Sequence, residues 1–72
     1  MTKTEIIVLI KETKNRYATE MTLAVKRLHD NVKNMTSQQA QQEMIFISDM
    51  ESRAYAMTLL LEEIEEIEEI ED

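Results

Sequence analysis

Lys33-Asn34-Met35-Thr36-Ser37-Gln38-Gln39 is the stretch whose reading decides the fold. Asn34 to Ser37 include the only cluster of small polar residues long enough to break a helical pattern. Thr36 and Gln39 have the spacing of a capping box, in which a threonine hydroxyl and a glutamine amide satisfy orphan backbone N–H groups at a helix start. Thr2 and Glu5 have the same spacing. Two helix starts half a chain apart predict helix 1 over about residues 3–33, a turn at 34–36 and helix 2 over about 37–70, in one domain covering residues 1–72.

The rest of the chain agrees with an all-α reading. Glycine, proline and cysteine are absent, which removes the residues that hairpin turns, phosphate loops, disulfide frameworks and thiolate metal sites depend on. The longest apolar run, Ile6 to Ile10, is far too short to span a bilayer. Lys3 ahead of that run faintly imitates a signal peptide, but Glu5 intrudes and no small-residue cleavage site follows. The expectation is a cytoplasmic chain, complete from Met1 and without membrane association.

Helix 1 carries Ile7, Met21, Leu28 and Met35 alternating with Ile10, Tyr17 and Ala24, interrupted by Lys14 and Asn31. Helix 2 carries Ala40, Ile47, Ala54 and Leu61 alternating with Glu43, Met50, Met57 and Ile64. This is the spacing of a coiled-coil or bundle seam. If the chain folds back at Met35 and Thr36, residues whose numbers sum to 71 face one another, and large meets small at Tyr17 with Ala54 and at Ala24 with Ile47. The fit favours an antiparallel αα-hairpin over one continuous helix, which a turn without glycine leaves open. Val25, Val32, Phe46, Leu60 and Ile67 widen the apolar stripes beyond one seam, while Val8, Leu9, Ile45, Leu59 and Ile70 fall outside it. A chain of 72 residues buries a small core, so self-association into a helical bundle is expected, a dimer first. The six methionines read as core filler.

Charge is divided between the halves. Residues 1–36 hold seven cations against four acids, whereas residues 37–72 hold eleven acids against Arg53 alone. The last eleven residues, EEIEEIEEIED, carry eight carboxylates. At a helix C-terminus each exposed acid is unfavourable by roughly 0.3–1 kcal/mol, and like charges three or four residues apart repel by roughly 0.2–0.5 kcal/mol a pair. Folding back brings Lys3, and more loosely Lys11 and Lys14, toward this end, where the acids outnumber them. Such a net charge disfavours direct nucleic-acid binding. Three readings of the acidic end stand: a solvated terminus that keeps an oligomer soluble, a docking surface for a basic protein, and a carboxylate ladder that imitates a phosphate backbone. The docking reading places Glu62, Glu63, Glu65, Glu66 and Glu69 against a basic surface, with Ile67 and Ile70 as apolar anchors. Leu61, Ile64, Ile67 and Ile70 drift by about 60° per step around a helix, so they cannot all face one seam.

Catalytic chemistry is not legible. His29 is the only histidine, it falls on the outer side of helix 1, and no nucleophile or acid has an identifiable spacing to it. No Glu-x-x-His pairs occur on facing helices, so no metal or other cofactor is expected. An alternative site would gather Lys11, Lys14, Arg16, Lys26 and Arg27 across an oligomer interface with Tyr17 or Tyr55 to hold a small anion such as a nucleotide. A further alternative is a structural self-assembly unit. The leading expectation is a non-catalytic, acidic helical protein that acts by protein–protein interaction, an accessory regulator or inhibitor of the size carried by phages and mobile elements.

Overall fold

The computed structural model describes residues 1–67, and it is an antiparallel hairpin of two long helices. Helix α1 runs Lys3–Asn31, a single 3-10 turn covers Val32–Asn34, and α2 runs Ser37–Glu66. Both capping boxes form. The Thr2 hydroxyl accepts from the Glu5 N–H at 3.1 Å while the Glu5 carboxylate takes the Thr2 N–H. The Thr36 hydroxyl accepts from the Gln39 N–H at 3.1 Å, and the Gln39 side-chain carbonyl accepts from the Thr36 N–H at 2.9 Å. Thr36→Ala is therefore expected to cost about 1 kcal/mol, read as a lower urea midpoint with an unchanged slope.

The chain reverses without glycine because no described residue needs a positive φ. The Asn31 side-chain amide donates to the Arg27 carbonyl at 2.8 Å. The 3-10 turn then closes with the Met35 N–H on the Val32 carbonyl at 3.3 Å. Met35 and Thr36 are both extended and carry the backbone to the α2 cap. The first helix thus stops at Asn31, two residues before the expected boundary, and the difference is the 3-10 turn.

The second helix is described to Glu66: Ile67 is extended (φ −78, ψ 116), its N–H reaches back to the Ile64 carbonyl at 3.2 Å, and the expected end at about 70 lies outside the described residues. Its last turn contains acids and no cation, so the carbonyl dipoles and the carboxylates work against continuation. The expected site residues Glu69 and Ile70 lie outside the described residues.

The seam is the one the heptads predict. Ile10, Ala24 and Met50 are buried. Ile7, Lys14, Tyr17, Met21, Leu28 and Met35 on one side, and Ala40, Glu43, Ile47, Ala54, Met57, Leu61 and Ile64 on the other, are half-buried. Asn31 is exposed and serves the turn instead. The side chains that bridge the helices (Lys3 to Glu65, Tyr17 to Arg53, Arg27 to Glu43 and to Phe46) have numbers summing to between 68 and 73, close to the predicted register. Ala24, with 0% exposure, is the most completely covered of the buried seam residues. No described helix is long and apolar enough to cross a membrane.

The result is a rod of 53 × 14 × 14 Å. Its radius of gyration is 16.3 Å, against about 11 Å for a compact fold of this length.

Candidate interaction site

The acidic end is built by the last turn of α2. Glu62, Glu63, Glu65 and Glu66 are all exposed, and no ion pair engages them among the described residues. Lys3 does reach this end, and among the described residues its Nζ donates to the Glu65 backbone carbonyl at 3.0 Å rather than to a carboxylate. It supplies the cation that the last turn of α2 lacks, capping a carbonyl and leaving the side-chain charges outward. Among the described residues, Lys11 and Lys14 make no ion pair with this end either. Leu61, Ile64 and Ile67 are half-buried, so part of the apolar edge among the glutamates faces the hairpin.

The cations near the turn and the middle of the rod are occupied differently. Arg27 donates to Glu43 at 2.8 Å and its guanidinium lies 5.9 Å from the Phe46 ring centroid. This contact explains why an acid is tolerated at a seam position: the Glu43 side chain is 19% exposed and a half-exposed arginine meets it. Sequence reading placed Glu43 in the seam and Arg27 in the alternative anion site, with an acid of a neighbouring helix as its other partner, without naming Glu43 as that acid. The signal was an acid facing an apolar stripe, which needs a cation within reach.

Arg53 pairs with Asp49 one turn earlier at 3.2 Å and lies 5.7 Å from the Tyr17 ring centroid. The Asp49 carboxylate first, and the Tyr17 hydroxyl second, hold the Arg53 guanidinium above its ordinary pKa. His29 is exposed beside Asp30.

The alternative anion site is not assembled within one chain. Lys11, Arg16, Lys26 and Arg27 are exposed while Lys14 and Tyr17 sit at the seam. Of these six residues, only Arg27 lines either surface cavity. The larger, about 580 Å³, is an open depression at the turn, amide-lined by Asn31, Asn34, Gln39 and Gln42 beside Phe46. The smaller, about 300 Å³, lies over Asn15, Ala18 and Thr22 on α1. No group of three or more His, Asp or Glu side chains is placed to hold a metal ion among the described residues.

Compared with protein-family models, with curated proteins and with solved structures, the chain matches none.

Proposed function

We propose that this is a non-catalytic interaction protein that docks the acidic end of α2 on a basic surface of another protein, as an accessory regulator or inhibitor. The observation that supports this reading is the run of four exposed glutamates in the last turn of α2, none of them in an ion pair among the described residues. The same turn is held by Lys3 through its backbone instead. Unpaired like charges at a helix C-terminus cost stability, and a basic partner is the chemistry that recovers it. Ile67, half-buried at the end of α2, supplies an apolar contact beside the carboxylates.

The test is capture by the immobilised chain from a lysate of the cells that carry it, at low and at high salt. A basic protein is expected to be retained at low salt and released as screening shortens the reach of exposed charges to a few Å near 1 M. The variant E62K/E63K/E65K/E66K is expected to lose it. Equal retention by the wild type and this variant would show that the acidic end is not the docking surface.

A further inference from the structure

The hairpin has two broad sides, and they differ in charge. Arg27 over Phe46 and Arg53 over Tyr17 place Glu20, Arg27, Phe46 and Arg53 on one side. Ala18, Val25 and Val32 each directly follow a helix 1 seam position, and Met44 and Glu51 do so on α2. A step of 100° per residue turns them to the opposite side. From the turn up to the level of Ala18 and Glu51, that second side presents Ala18, Thr22, Val25, Val32 and the exposed His29 with Gln41, Met44 and Ser48, and no formal charge with the histidine neutral. Val25 is 48% exposed and Met44 56%. Covering this side desolvates no ion until Glu51 is reached, whereas covering the other would bury Glu20, Arg27 and Arg53 at a cost.

The exposed surface is large enough to hold a partner. The chain exposes 5631 Å², against about 4,700 Å² for a compact protein of its mass. The excess, about 900 Å², is close to the roughly 800 Å² that each partner contributes to a stable interface.

Charge then sets the orientation. At the open end, residues 1–12 and 59–67 hold two lysines against six glutamates, a net −4. Residues 24–48 around the turn hold Lys26, Arg27 and Lys33 against Asp30 and Glu43, a net +1. Two copies side by side with their turns together would place the two acidic ends against each other. Reversing one copy about the centre of the uncharged patch carries the two acidic ends to opposite ends of the pair.

We propose that a second copy of this chain covers the side bearing Ala18, Val25, Val32 and Met44, with its turn pointing the opposite way. The small residues Asn15, Ala18 and Thr22, which floor the depression on α1, let the second copy approach closely. The interface is isologous, the same patch on both chains.

Light scattering of the purified chain should give twice the 8.5 kDa chain mass. The double variant V25K/M44K, at two exposed positions that leave the seam intact, should give the chain mass with helical circular dichroism retained. Leu60→Lys, on the charged side, should leave the dimer in place. Nitroxide labels at Ser37→Cys should lie on the order of 30 Å apart, from the 1.5 Å rise per residue between Ser37 and the level of Phe46 on either side of the patch centre. A monomeric wild type, or a dimer that survives V25K/M44K and is lost in Leu60→Lys, would overturn the assigned face. Labels closer than about 20 Å would overturn the orientation.

Discussion

Met50→Ala is expected to be the most damaging single truncation in the chain, at about 2–5 kcal/mol. Met50 is one of three buried residues among those described, at 7% exposure, and the seam register sets it at the level of half-buried Met21. A two-helix seam has no third layer to collapse into the space a shortened side chain leaves, so both the transfer and the cavity contributions are felt. Cores of this size rarely supply more than about 3–5 kcal/mol in all. The loss should therefore remove most of the cooperative unfolding transition seen by circular dichroism in urea. Met50→Leu, which conserves volume, should cost less than about 1.5 kcal/mol. If Met50→Ala melted like the wild type, the seam described above would not be what holds the helices together.

Neutralising the acidic end is expected to work in the opposite direction on stability. In E62Q/E63Q/E65Q/E66Q the side chains keep their size while the charge that opposes the α2 carbonyls, and the repulsion among neighbours three and four apart, disappear. The gain should be on the order of 1–2 kcal/mol at low ionic strength, with a Tm higher by about 5 °C or more. It should shrink as salt is added, because the removed interactions are between exposed charges. Lys3 keeps its bond to the Glu65 carbonyl in this variant, since that bond uses the backbone. A Tm unchanged at low salt would mean that the glutamates do not strain the helix end.

The parts of this fold legible in the sequence are those governed by helical period and by local caps. Ile7 through Ile64 appear at the seam in the predicted register because burial on a helix follows from spacing alone. Thr2 and Thr36 mark the helix starts because a capping box is contained within four residues. The end of α2 is the less legible boundary: apolar periodicity runs on through Ile67 and Ile70, whereas Ile67 is already extended and the expected end at about 70 lies outside the described residues.

The turn was ambiguous for a related reason. Reversal without glycine depends on Asn31 bonding to the Arg27 carbonyl and on a 3-10 turn, and neither has a strong signature in composition. At the candidate site, the exposure of Glu62 to Glu66 was legible, but the role of Lys3 was not. Its partner is a backbone carbonyl 62 residues away, which no side-chain pattern announces.

The account holds that the acidic end is kept at a cost to the helix because it binds a basic partner. The most direct measurement takes E62Q/E63Q/E65Q/E66Q and the wild type side by side, recording Tm at low salt and the amount of basic protein each retains from lysate. The account predicts a higher Tm together with lost retention. Retention equal to that of the wild type would contradict it, whatever the Tm.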